Sequence, residues 1–279
     1  MVTQREWLER ATSRLREAGC EDAAFDARCL LEDLGGLPRG HRAGDTPLTA
    51  EQAAVLDNAL DQRVAGRPLQ YILGEWEFLT LRLKVGEGVL IPRPDTELLC
   101  ETAARRLAGS ASPKVLDLCA GTGCVGLGVA SLVPGAQVTE VELSEEALPY
   151  LRENTARYPQ YAVTIRQGDI LTDYAAFDGP YDAILSNPPY IPTGDLAGLQ
   201  REVQYEPDMA LDGAEDGLAF YRTIAEHWCE KLTPNGFCAV EVGVGQAADV
   251  AALFVAKGLE NTEVLTDLGG VQRVVVARK

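Results

Sequence analysis

Val115-Leu116-Asp117-Leu118-Cys119-Ala120-Gly121-Thr122-Gly123 is an apolar run of strand length that stops at a glycine turn. The residues after it, Thr122 to Val133, have helical spacing. Strand, glycine turn and helix in that order form the opening unit of an α/β sheet. The pattern then repeats. Strands are expected at 114–119, 137–143, 162–167, 181–186, 236–242, 260–266 and 272–278, with helices at 122–133, 145–156, 218–232 and 246–257. The expected fold is α/β: a seven-stranded, mostly parallel, doubly wound sheet.

Upstream, the first 70 or so residues read as helical. Trp7, Leu8, Ala11, Leu15 and Ala18 mark one face, and Thr49-Ala50-Glu51-Gln52 is a capping box for a helix reaching about Ala65. Leu79, Leu81, Leu83 and Val85 alternate like a half-buried strand; Gly86-Glu87-Gly88 turns the chain, and Val89-Leu90-Ile91 is its expected hairpin partner. The implied organisation is a helical domain over 1–74, a hairpin linker over 75–94 and the α/β domain over 95–279.

The chain has 279 residues, 46% hydrophobic and 24% charged, and a net charge of −17. That acidity argues against binding the phosphates of a nucleic acid, so the expected partner is a protein or small molecule. No apolar run reaches the length of a membrane span or a signal peptide, so a cytoplasmic location is expected, away from membranes. Seven cysteines without a Cys-x-x-Cys pair, and two histidines, give no metal signature. Reduced thiols, no metal and a monomer are expected.

The glycine turn brings backbone amides close to a ligand. Gly121-Thr122-Gly123-Cys124-Val125-Gly126 spells GxGxxG, and Glu142 ends the next strand where an acid meets a ribose diol. A dinucleotide-binding dehydrogenase remains open on those residues. Asp117, four residues before the first glycine, suits a cationic ligand better than a pyrophosphate, which favours S-adenosylmethionine and its ammonium and sulfonium. Asp169, after the third strand, is placed to meet an adenine amine.

The fourth strand, Tyr181-Asp182-Ala183-Ile184-Leu185-Ser186, runs into Asn187-Pro188-Pro189-Tyr190 at the carboxyl edge of the sheet. Two prolines fix φ and remove two donors; Asn187 adds a side-chain carbonyl and Tyr190 a flat aromatic face. The set suits an acceptor nitrogen with a delocalised lone pair. Asn187 Oδ1 and the Pro188 carbonyl each take one N–H, and Tyr190 packs on the acceptor plane, so catalysis is positioning plus electrostatic stabilisation. Glutamine amide and adenine amine both satisfy the tetrapeptide. A non-enzymatic binding module would tolerate the loss of Asn187.

Together Asp117-x-x-x-Gly121-Thr122-Gly123 and Asn187-Pro188-Pro189-Tyr190 resemble the class I amino-methyltransferases. More closely, the chain is similar to the HemK-type methyltransferases of peptide chain release factors. The likeness extends through Gln70–Glu75, Ile91-Pro92-Arg93-Pro94-Asp95-Thr96-Glu97, Glu206–Gly213, Asp216–Tyr221, Glu241-Val242-Gly243 with Gln246, and Asp267–Val275. It implies methylation of the glutamine in a Gly-Gly-Gln loop, with S-adenosylmethionine as donor and S-adenosylhomocysteine as product. A helical N-terminal domain would help to hold the release factor. By position it places the cofactor on Asp117, Cys119, Ala120, Gly121, Thr122, Gly123, Glu142, Asp169, Ile170 and Asn187, and the glutamine on Asn187, Pro188, Pro189 and Tyr190. Glutamine methylation of a ribosomal protein is the alternative.

Three departures stand out. Cys119-Ala120 replaces a common glycine-threonine pair. The ribose acid is glutamate rather than aspartate, with Glu140 on the same strand face. Ile170 stands where some relatives have an aromatic residue.

Overall fold

The computed structural model describes residues 2–279. The chain forms two compact units, one taking the chain up to Glu75 together with Gln200–Tyr205, the other Trp76–Leu199 with Glu206–Lys279. Among the described residues no helix is long and apolar enough to cross a membrane.

The first unit holds α1 (Gln4–Glu17), α2 (Ala23–Cys29), α3 (Ala50–Val64) and α4 (Leu69–Leu73), with a π-helical turn at Leu30–Leu34. Trp7, Ala11 and Leu15 are buried as their spacing requires, and Ala18 is exposed. The capping box at Thr49 forms as read: Gln52 N donates to Thr49 Oγ1 at 3.1 Å, and Thr49 N donates to Gln52 Oε1 at 3.0 Å. Trp7 Nε1 donates to Asp57 Oδ1 at 2.8 Å, which ties α1 to α3. A buried ion pair closes the unit. Arg63 Nε donates to Asp26 Oδ2 at 2.7 Å while its Nη2 meets Glu202, so the 200–205 segment belongs to this unit by direct contact.

At the start of the second unit β1 (Glu75–Phe78), whose first residue closes the first unit, pairs with β2 (Leu81–Lys84) in a two-stranded sheet. Here the structure corrects the sequence reading. Leu81 and Leu83 do lie on a strand, but its partner is the Glu75–Phe78 stretch before it, and Val89–Ile91 is irregular backbone. The Gly86–Gly88 segment is held against the unit instead: Tyr150 Oη donates to the Glu87 carbonyl at 3.0 Å.

There follow α5 (Pro94–Leu107), β3 (Lys114–Leu118), α6 (Cys124–Leu132), β4 (Gln137–Glu142), α7 (Leu148–Arg157), β5 (Ala162–Gln167), β6 (Tyr181–Ser186), α8 (Asp208–Leu211), α9 (Ala219–Thr223), β7 (Leu232–Glu241), α10 (Ala247–Ala256), β8 (Glu260–Thr266) and β9 (Gln272–Arg278). The sheet order is β5-β4-β3-β6-β7-β9-β8, parallel except for the pairings of β9. This is the seven-stranded, mostly parallel, doubly wound sheet expected from the sequence. β7 starts four residues early, with an irregular register against β6 between Tyr181 and Ala183. The expected helix at 218–232 is a short α9 continued by a π-helical turn at Ile224–Trp228, from which Trp228 Nε1 donates to the Ile170 carbonyl at 2.8 Å.

Strand side chains alternate between the two faces. Leu116, Leu118, Ile184, Cys238 and Val240 pack with Tyr221, Trp228 and Phe254 on one face. Val115, Ala183, Leu185 and Ala239 pack with Leu99, Leu127 and Phe78 on the other. Each such large side chain contributes about 1.5–3 kcal/mol on burial. The alternation also decides where the polar residues of these strands go. Asp117 follows Val115, Glu140 and Glu142 follow Val138, and Glu241 follows Ala239, all toward the face carrying α5 and α6.

The glycine turn is demanded by that packing. Gly123 has φ +81°, and a Cβ there would stand 2.7 Å from Leu151 and 2.9 Å from Glu140. At Gly126 a Cβ would meet Glu140 Oε1 at 2.4 Å and its Cγ at 2.8 Å. Glu140 is completely buried. Gly126→Ala should therefore destabilise the protein by about 1–3 kcal/mol in urea denaturation, while Gly198→Ala, with nothing within 4 Å, should stay within about 0.5 kcal/mol.

Candidate active site

β3 pairs with β4 on one side and β6 on the other, so the winding of the sheet reverses at β3. Open α/β sheets bind ligands in the crevice above such a reversal. A cavity of about 380 Å3 lies there. Its walls come from the ends of four strands: Cys119–Thr122 after β3, Glu142–Ser144 after β4, Gly168–Leu171 after β5, and Asn187 with Pro189 after β6. Gly88–Arg93, Thr96 and part of the 207–220 region complete it.

Of the residues expected in a cofactor site, Cys119, Ala120, Gly121, Thr122, Glu142, Asp169, Ile170 and Asn187 all stand in this wall. Glu142 organises the loop opposite. Its Oε2 accepts the Gly121 N–H and its Oε1 the Ser144 N–H, each at 2.7 Å. Burial raises its carboxyl above the usual range, and those backbone donors pull the other way. Asp169 is pinned similarly, its Oδ1 accepting from Leu171 N at 2.8 Å. Ile170 is buried and offers an apolar surface. Cys119 sits at φ +62°, a conformation that favours glycine, so its replacement of glycine carries strain of about 1 kcal/mol.

Asp117 and Gly123 are elsewhere. Asp117 is 1% exposed, lies outside the cavity wall and accepts the Gly126 N–H at 2.9 Å through Oδ2. Burial pushes its carboxyl up to about 8, against the effect of that hydrogen bond. Strand alternation turns it under α6, where it holds the start of the helix. Gly123 likewise shapes the turn from behind. The two glutamates of β4 separate cleanly. Glu142 reaches the cavity, while Glu140 is sealed under the glycine turn, its carboxyl driven well up by burial.

In the tetrapeptide, Asn187 and Pro189 face the cavity, whereas Pro188 and Tyr190 do not line it. The Tyr190 ring lies against Gly243, where a Cβ would be 3.0 Å from Tyr190 Cδ2, and its carbonyl accepts from Gln246 Nε2 at 2.9 Å. Burial pushes its hydroxyl up, with the Glu241 charge adding to the effect. The ring packs beside the end of β7 against the sheet core. Beyond it, Ile191 N donates to the Leu211 carbonyl at 2.9 Å and Gly213 N to the Ile191 carbonyl at 2.8 Å, anchoring the turn.

The sequence reading missed three supporting residues. Buried Asn154 accepts from Lys84 N at 2.6 Å and donates to the carbonyls of Lys84 (3.1 Å) and Thr122 (2.9 Å), fastening the glycine turn to α7 and β2. Thr96 and Glu241 stand behind Asn187. Asn187 Nδ2 donates to Thr96 Oγ1 at 3.2 Å, and Thr96 Oγ1 donates to Glu241 Oε2 at 2.6 Å. No local pattern announces an asparagine inside a helix, whereas Thr96 and Glu241 lie in quoted segments without an evident task.

The cavity wall holds three carboxylates, Glu142, Asp169 and Asp212, against one guanidinium, Arg93, among the described residues. Arg93 is itself paired with buried Glu206. The site can therefore take a ligand with hydroxyls, an amine and positive charge, next to the Asn187 side-chain amide. Among the described residues no group of three His, Cys, Asp or Glu is arranged to hold a metal.

The family described as PrmC N-terminal domain matches residues 6–74, and the Methyltransferase small domain matches 94–199. A release factor glutamine methyltransferase of Geobacter sulfurreducens is 40% identical over 279 residues, covering 99% of this chain and 96% of the relative. Another, of Deinococcus radiodurans, is 38% identical over 278 residues, covering 99% and 98%. The T. Thermophilus 16S rRNA N2 G1207 methyltransferase, solved with AdoMet and guanosine, shares the fold. Its TM-score is 0.52 at 23% identity, covering 74% of this chain and 49% of that one. With such likeness over nearly its whole length, the chain belongs to the release factor glutamine methyltransferase family.

Proposed function

We propose that this protein is a methyltransferase that transfers a methyl group from S-adenosylmethionine to the side-chain amide nitrogen of glutamine in the Gly-Gly-Gln loop of peptide chain release factors. The observation that carries the reading is the orientation of Asn187. Its Nδ2 is turned inward to Thr96, so its Oδ1 is left for a partner that donates, as an amide N–H does. The names of the full-length relatives supply the substrate class.

The donor set fits the cofactor. Glu142 would hold the ribose hydroxyls, Asp169 the adenine amine, and Ile170 the adenine face, while the Cys119–Thr122 loop would carry the methionine portion. Bound there, S-adenosylmethionine supplies a methyl carbon made electrophilic by its sulfonium. The remaining work is done by this chain. Asn187 Oδ1 accepts one amide N–H, and the Pro188 carbonyl is proposed as acceptor for the other. Both oxygens carry partial negative charge toward a nitrogen that becomes more positive as it bonds to carbon, so they stabilise the transition state more than the ground state. Pro189 walls the acceptor in, and the Tyr190 carbonyl anchors the turn through Gln246. No strong base is called for: the methylated nitrogen sheds its proton to water.

The helical domain over 1–74 is proposed to hold the release factor, with a linker over 75–94 leading into the methyltransferase domain over 95–279. The −17 charge supports a protein substrate over a nucleic acid.

Tritium from labelled S-adenosylmethionine should enter a purified release factor and fail to enter one whose Gly-Gly-Gln glutamine is alanine; equal labelling of both would overturn the reading. Asn187→Ala should lower kcat by about 100-fold or more and leave the calorimetric affinity for S-adenosylhomocysteine within about threefold. Glu142→Ala should do the reverse to binding, weakening that affinity by about tenfold or more, roughly 1.4 kcal/mol, and NAD should give no heat with either protein.

A further inference from the structure

We propose that Thr96 and Glu241 are positioning residues that fix which way round the Asn187 amide stands, and so whether the acceptor nitrogen is gripped. The proposal rests on the reading of Asn187 as the acceptor grip and goes beyond it to what sets that grip.

An asparagine amide is nearly symmetric in shape, and rotating it by half a turn exchanges an acceptor for two donors. A donor facing the acceptor amide would repel its N–H groups, so the flipped form is inactive. Something must choose the rotamer, and the two strand ends supply it. Asn187 continues β6 on the parity of Ala183 and Leu185, and Glu241 closes β7 on the parity of Ala239, so both project toward α5. Thr96, in the first turn of α5, lies between them and is 1% exposed.

A threonine hydroxyl has one proton to give. Buried Glu241, as a carboxylate, can only accept, and at 2.6 Å it takes that proton. Thr96 Oγ1 then has only lone pairs left for Asn187, so the group facing it must be the Nδ2 donor, as found at 3.2 Å. Oδ1 is thereby turned the other way. Proton direction passes from carboxylate to hydroxyl to amide with no alternative assignment while Glu241 is charged. The Tyr221 hydroxyl, donating to the Glu241 carbonyl at 2.9 Å, secures the strand end from the opposite side.

Protonating Glu241 removes the constraint. A carboxylic acid can donate to Thr96, which frees the threonine proton to meet Asn187 Oδ1, and the flipped amide becomes equally good. Burial raises the Glu241 carboxyl to about 7; the Thr96 hydrogen bond opposes this, Asp95 adds to it, and Arg273 and Arg93 oppose it. Tyr190, Tyr221, Cys100 and Cys124 also face this charge. Turnover therefore has an acid limb near neutrality, full above it and falling as the pH drops through it.

The test uses the full-length enzyme, a release factor and S-adenosylmethionine. Thr96→Val, similar in shape but without a hydroxyl, should lower kcat by about 30-fold with cofactor KM and melting temperature little changed. Thr96→Ser should restore kcat to within about threefold. Glu241→Gln, which has no proton to lose, should give a lower kcat without the acid limb of the wild type. Thr96→Val turning over within about threefold of wild type, serine no better than valine, or an unchanged acid limb in Glu241→Gln would each overturn the proposal. The Glu241→Gln profile decides even if Thr96→Val does not fold. Asn187→Ala, assayed alongside, separates the two claims. If it stays active, the grip itself is wrong; if it is dead while Thr96→Val is active, only the positioning role fails.

Discussion

The pairing of β3 with both β4 and β6 is the constraint on which the rest of the second unit depends. A parallel sheet that winds outward in both directions from one strand must leave a gap where its crossover helices part. Four walls of the cavity are loops that leave strands at that edge. The glycine turn, the Glu142 carboxylate, the Asp169 turn and the Asn187-Pro188-Pro189 segment are neighbours only because their strands are. Backbone hydrogen bonds in the ladder fix their mutual distances before any side-chain contact is made.

A second constraint acts within each strand. Successive side chains face opposite sides, so a polar residue on a buried strand has no choice of face, only of how it is satisfied. Asp117 meets the Gly126 amide, Glu241 meets Thr96, and Ser186 Oγ, on the other face, donates to the Leu118 carbonyl at 2.7 Å. Asp117 and Glu140 each keep one buried oxygen without a hydrogen-bond partner. The position of an acid along its strand decides its task. Two residues of difference separate Glu140, sealed beneath the glycine turn, from Glu142, which reaches the cavity.

Rigidity follows from the same contacts. Asn154 fixes the loop after β3 from below with a side chain that is fully buried. Gln246 holds the Tyr190 carbonyl at 2.9 Å and accepts from Gly243 N at 3.0 Å, clamping the turn after β6. A site whose catalysis is positioning gains from such clamps, since small displacements of the reacting atoms cost rate steeply.

The sequence by itself determined which segments of the α/β domain are strands, where the glycine turn falls, and that Asn187-Pro188-Pro189-Tyr190 follows the fourth of them. Those are local properties, written in hydrophobic period and turn chemistry, and the capping box at Thr49 was legible for the same reason. What only the tertiary structure decided is where each side chain finds its partner. Val89–Ile91 had the composition of a strand, but Leu81–Lys84 paired with the segment before it instead. The Gly126 amide as the partner of Asp117, and the room beside Gly243 that takes the Tyr190 ring, are visible only in the packed structure. Thr96, Asn187 and Glu241 lie 91 and 54 residues apart along the chain. No periodicity spans such distances; only packing joins them, because a buried polar atom must find its partner in space rather than in sequence.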